Sequence, residues 1–155
     1  HMKVCRGFTL LELMVAIAVL AVLATVGVPS FRDLIQNNRV TSQANELVSA
    51  LNFARTEAIK RGRDVEVVVT QADPGWTARV AVDATDETLR DVDRRDTRVV
   101  VDADVTIVFG PTGVPNAGAN LALEPGPSCT GQKRREIVVG PSGQITTSRT
   151  DCSGG

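Results

Sequence analysis

Three rhythms of apolar and polar residues run along this chain. From Leu13 to Val28 there are 16 consecutive residues without a charge. Starting at Leu10 the run has 19 residues, interrupted once, by Glu12. A membrane helix needs about 20 apolar residues, so this first rhythm predicts a membrane-length helix. Beyond it, Phe31, Leu34, Ile35, Ala44, Leu47, Val48, Leu51, Ala54, Ala58 and Ile59 recur at three- and four-residue spacing. That spacing predicts an amphipathic helix with one apolar stripe. Arg32, Asp33, Gln36, Asn37, Gln43, Asn45, Glu46, Asn52, Arg55 and Lys60 fall on its polar side. Gly27 and Pro29 predict a weak point between the two halves. Gly62 is placed to end the helix, after Lys60 and Arg61, whose charges suit a helix C-terminus. A helix from Phe8 to Arg61 would measure roughly 80 Å at 1.5 Å per residue. Its second half must bury the stripe against a sheet.

After Gly62 the rhythm becomes short and β-rich. Val65 to Val69 predicts a strand, and Trp76 to Val82 its hairpin partner across Asp73-Pro74-Gly75. Asp83 to Asp96 predicts a charged loop, with a short strand at Thr88-Leu89-Arg90. Arg98–Val101 and Val105–Phe109 are further strands. Residues 110–128 carry Gly and Pro throughout and predict turns or a long loop. Arg135–Val139 and Gln144–Thr147 predict a final hairpin. Two segments echo each other, Gly110-Pro111-Thr112-Gly113 and Gly140-Pro141-Ser142-Gly143, each after a strand. Proline presets φ and glycine permits φ > 0, so both predict tight turns. They lack the lysine and following helix of a phosphate loop. The fold class expected is α+β, a long helix packed on antiparallel sheet.

Composition narrows the chemistry. The 155 residues carry 17 basic and 18 acidic side chains, a net charge of −1, with mean hydropathy +0.03. Bulk charge therefore gives no support to a nucleic-acid binder. The one histidine is His1, and His1-Met2 reads as a cloning scar. Histidine-dependent triads and imidazole zinc sites are excluded. Acidic residues Asp83, Asp86, Glu87, Asp91, Asp93, Asp96, Asp102 and Asp104 are interspersed with Arg90, Arg94, Arg95 and Arg98. That mixture predicts solvated ion pairs rather than a metal or carboxylate site, and EF-hand spacing is absent. No catalytic constellation is present, and no cofactor is expected. Cys5, Cys129 and Cys152 form no CxxC motif.

The N-terminal residues carry a resemblance. Arg6-Gly7-Phe8-Thr9-Leu10-Leu11-Glu12-Leu13 resembles the class III signal of type IV pilins and type II secretion pseudopilins. The resemblance implies cleavage by a prepilin peptidase between Gly7 and Phe8, and N-methylation of Phe8. Glu12 then stands fifth in the mature chain, where the family keeps its glutamate. Pro29 matches the proline that members often carry near the end of the membrane segment. An unpaired carboxylate in hydrocarbon is costly. Glu12 therefore pairs with the Phe8 amine of an adjacent subunit, caps the helix dipole in the first turn, or does both. The stretch Leu51–Arg61 is similar to the helix end of the GspH/FimT class of minor pilins and pseudopilins. Within it, Arg55 and Glu57 are expected to be solvated, with Ala54 and Ala58 packing on the sheet.

The expected organisation is a scar and leader over 1–7, a transmembrane and filament-core helix over 8–29, and a periplasmic pilin domain over 30–155. Cys5 leaves with the leader. Cys129 and Cys152 remain for one periplasmic disulfide, contributing about 3 kcal/mol by loop entropy. The expected function is a minor pilin of a type IV pilus, helping to start assembly near the tip. Partners would be other pilins, the prepilin peptidase and the inner membrane. The alternatives are a GspH-like pseudopilin of type II secretion and a FimT-like minor pilin that binds DNA in natural transformation. The DNA reading rests on Lys133, Arg134, Arg135 and Arg149, against Glu136 and Asp151. The Gly-Arg-x-Arg motif of DNA-binding members is replaced here by Gly143-Gln144-Ile145-Thr146.

Overall fold

The computed structural model describes residues 8–83, 87–95, 98–126 and 129–152; within the helix, the side chains at 26 and 28–30 fall outside the description. The chain divides into two compact units, residues 1–35 and 36–155. Helix α1 (Leu10–Arg61) contributes to both. Eight strands follow in the second unit: β1 (Val65–Ala72), β2 (Gly75–Val82), β3 (Thr88–Asp93), β4 (Val99–Val101), β5 (Val105–Phe109), β6 (Ala119–Pro125), β7 (Arg134–Val139) and β8 (Ile145–Thr150).

In the first unit, Thr9 starts the helix. Its Oγ1 accepts the Glu12 backbone N–H at 3.2 Å, and its carbonyl accepts that of Leu13 at 3.2 Å. This is the N-cap arrangement, with an acid in the first turn where the dipole favours it. The helical backbone continues through Gly27 and Pro29, so the weak point expected there does not end the helix. A proline forfeits the bond from its own nitrogen and leaves the rest of the ladder available. Among the described residues no helix is long and apolar enough to cross a membrane. The expected span over 8–29 includes the side chains at 26 and 28–30, outside those described.

In the second unit the strands form two antiparallel sheets, in the orders β3-β2-β1-β5 and β4-β6-β7-β8. Val65, Val67 and Val69 of β1 point inward by simple alternation, with Val80 and Ala78 opposite Val67 and Val69. The packed half of α1 supplies Val40, Ala44, Leu47, Ala50, Leu51, Ala54 and Ala58, all buried with both sheets in one core. Phe31, Leu34, Ile35 and Ile59, expected on the same stripe, are exposed. The helix ends as its chemistry predicts. Gly62 takes φ 62°, and the Arg63 N–H reaches back to the Ala58 carbonyl at 3.3 Å, the Schellman closure.

Two expectations need correction. Residues 110–128 are not only turns and loop, because β6 lies among them and pairs with both β4 and β7. Gly118, Pro125 and Gly126 gave the stretch its turn-like composition, yet Leu121 and Leu123 between them are fully buried. The charged loop holds a longer strand than expected: β3 runs from Thr88 to Asp93 rather than ending at Arg90, and it lies along β2 as the edge of its sheet. Alternating charges suit an exposed edge strand, which hides the strand from a hydrophobicity reading.

Candidate functional site

The helix start is the first candidate. The Phe8 side chain is 82% exposed, and Leu10, Leu11, Leu13, Met14, Val15 and Ile17 are each more than half exposed. Between Phe8 and Pro29 the only charge is Glu12. Apolar side chains point out on every side of this helix, a surface normally covered. The Thr25 hydroxyl donates to the Val22 carbonyl at 2.7 Å, so this polar side chain is satisfied within the helix itself. A cut between Gly7 and Phe8 would leave a free amine one residue before the Thr9 cap. Gly7 and Cys5 lie outside the described residues, as does the side chain of Pro29.

The far end of α1 holds together the two echoing turns. Gly113 and Gly143 have φ of 76° and 78°, and each closes its turn by donating to the carbonyl of Gly110 or Gly140, at 2.8 and 2.9 Å. The two turns, one from each sheet, meet at Arg55, whose Nε donates to the Gly113 carbonyl at 3.0 Å. Arg55 is therefore not a solvated side chain. Nor is Glu57, which is 8% exposed and accepts from Arg61 at 2.8 Å and Lys60 at 3.2 Å. The hydrogen bond from Arg61, and then that from Lys60, hold its carboxyl below the ordinary glutamate range. Gln43 is likewise buried and accepts from the Trp76 indole at 2.7 Å. The signal for both was in the spacing. Positions 40, 43, 47, 50, 54 and 57 continue one three-four stripe, so Gln43 and Glu57 sit on the buried side beside Ala44 and Ala58.

Asp83, Glu87, Asp93 and Asp102 are in ion pairs, often with arginines remote in sequence, while Asp86 and Asp96 lie outside the described residues. Glu46 binds Arg94 at 2.8 and 2.9 Å, Asp83 binds Arg63, and Glu87 binds Arg61 at 2.9 Å. Asp93 is pulled down to about 2, first by the Arg95 side chain and then by its backbone N–H. Among the described residues no cluster could hold a metal ion.

The basic hairpin is the second candidate. Cys129, before β7, is bonded to Cys152, after β8, with Cα atoms 5.5 Å apart. Of the four cations named from sequence, three make contacts within the protein. Arg134 binds Asp102 at 2.8 Å and lies 3.7 Å from Glu124. Arg135 is 7% exposed and donates to Asn37 Oδ1 and Thr41 Oγ1, both at 2.9 Å. Lys133 donates to Gln36 Oε1 at 3.3 Å. Arg149 is exposed and stands directly opposite Arg135 on the neighbouring strand. The geometry thus breaks up the continuous basic patch that the composition suggested, because β-alternation sends Arg134 and Arg135 to opposite faces.

Known proteins resemble this one along most of its length. The family described as Type II transport protein GspH matches residues 43–143, and the prokaryotic N-terminal methylation motif matches residues 2–28. A fimbrial protein of Pseudomonas aeruginosa is 36% identical over 86 residues, covering 53% of this chain and 55% of that protein. Fimbrial protein Q of Moraxella bovis is 33% identical over 86 residues, covering 50% and 55% respectively. The chain thus spans about half the length of the curated relatives it matches. The crystal structure of the type IV minor pilin FimU from Pseudomonas aeruginosa superposes with a TM-score of 0.60 at 23% identity, covering 74% of this chain and 92% of that one. The fold is that of a type IV pilin, a long N-terminal helix packed on antiparallel sheets.

Proposed function

Because the chain belongs to the GspH family of pilin-like structural subunits, which are not enzymes, we propose that it works as a minor pilin of a type IV pilus, helping to start assembly near the filament tip. The observation that carries this reading is the helix start. An all-round apolar helix with one acid in its first turn has little use in a lone soluble domain. In a bundle of such helices every apolar face is covered, and the single carboxylate becomes a register mark. After cleavage, the Phe8 amine of one subunit meets Glu12 of the next. Any other axial register leaves both charges unpaired in a medium of low dielectric. The fimbrial relatives support a pilus over a secretion pseudopilus, as does the disulfide-closed C-terminal hairpin.

Processing and assembly are tested separately. Co-expression with a prepilin peptidase should shorten the full chain by residues 1–7, read as a fall in intact mass; an unchanged mass would remove the processing step. Glu12→Ala should abolish recovery of the subunit in sheared filaments while leaving the melting of the second unit unchanged. Recovery equal to the parent would remove the pairing role.

The DNA reading is less well supported by the geometry. Arg134 is ion-paired and Arg135 buried, so the hairpin does not present four cations along one track.

A further inference from the structure

Arg135 is a buried cation without a counter-ion among the described residues. Its three hydrogen-bond partners, Asn37 Oδ1, Thr41 Oγ1 and the Arg134 carbonyl, are all neutral oxygens. They satisfy N–H groups but leave the charge uncompensated. Its cross-strand neighbour is Arg149, so two guanidinium groups share one face of the β7–β8 hairpin. Burial first, and Arg149 second, weaken the hold of Arg135 on its proton. Neither arginine is in an ion pair among the described residues. Like charges directly opposite each other on neighbouring strands are destabilising, and among the described residues no ion pair relieves this one. Asp151, two residues after Arg149, lies beyond the end of β8 and is exposed.

We propose that Arg149, backed by Arg135, is a docking site for a carboxylate side chain of the adjacent subunit in the filament. This rests on the filament reading above and names one of its head-to-head contacts. A carboxylate fits where a nucleic acid does not. One reachable guanidinium over one buried one makes a point site, whereas a phosphate backbone needs a track of cations. A subunit built on the same plan offers the complement. Here Asp64 and Glu66, neither ion-paired among the described residues, line one groove with Asp83 and Val108 just beyond the end of α1. That end lies about 30 Å along the helix from the Asn37–Thr41 level. Heads displaced along the helix direction therefore bring an acidic end to a basic one. Such a contact is heterologous, because the two surfaces that meet are different.

The test is a charge series at Arg149 in the full chain, read twice. Arg149→Gln should raise the melting temperature of the head, because it removes the like charge facing Arg135. Yet it should lower recovery in sheared filaments about tenfold, and Arg149→Glu by more, while Arg149→Lys keeps recovery near the parent. A purely structural role would move stability and incorporation in the same direction. Parental recovery of Arg149→Glu overturns the site. So does a loss of duplex-DNA retention by Arg149→Gln with recovery unchanged, which would assign the arginine to nucleic acid. Absence of the parent protein from filaments overturns the filament reading itself, a result distinguishable from failure of the site alone.

Discussion

Gly143 shows how much one residue can carry. A Cβ there would sit 2.3 Å from the Gly113 carbonyl oxygen and 3.1 Å from Arg55 Nε, at a φ of 78°. Gly131 has a similar φ of 71° but open space around it. Gly131→Ala should cost about 1 kcal/mol from backbone conformation alone, and Gly143→Ala clearly more, since two turns and an arginine must part. Paired urea melts would measure the difference; equal losses would mean the turns do not depend on each other. Glu57 supplies the pH dependence at this scale. Its carboxyl is held below the unfolded value of about 4.3, so the stability it contributes is present above that pH. That contribution is lost as pH falls further, through the folded value. Glu57→Gln should flatten the acid limb of a stability profile below about pH 4 and leave the fold intact at neutrality. The turns were legible in the sequence because Gly-Pro-x-Gly appears twice. Their meeting at Arg55 was not, since it joins residues 58 positions apart.

At the scale of elements, the β7–β8 hairpin is the unit most dependent on covalent chemistry. Its second strand buries little, with Thr146, Thr147, Ser148 and Arg149 all exposed. The Cys129–Cys152 bond therefore ties down a strand that packing holds weakly. Cys152→Ser should lower stability by about 3 kcal/mol, and hydrogen exchange should show β8 amides losing protection before those of β1. Uniform loss across both sheets would contradict this ranking. β6 is the opposite case, a strand held by its core. Leu123→Ala should cost about 2–5 kcal/mol through the cavity it leaves. The helix halves and both hairpins could be read from periodicity and turn residues. β6 could not, because glycine and proline masked the alternation that pairing partners impose, and β3 was legible only at Thr88-Leu89-Arg90, because charge masked the rest of its length.

For the whole molecule, the division into two units separates the apolar helix start from the packed core. Among the described residues the buried core lies entirely within residues 40–139, and the first unit contributes none of it. A chain beginning at Gln36 should fold with a melting temperature within a few degrees of the full-length protein in detergent, since both melt the same core. A large drop would show that the first unit stabilises the second.

The outer strands of the second unit bear on how separate copies of the protein meet in solution. β3 shows Asp91 and Asp93 to solvent, and β8 a row of hydroxyls ending in Arg149. Such rims are poor templates for strand-by-strand fusion. A concentrated solution of this protein can thus resist edge-to-edge sheet pairing between its copies.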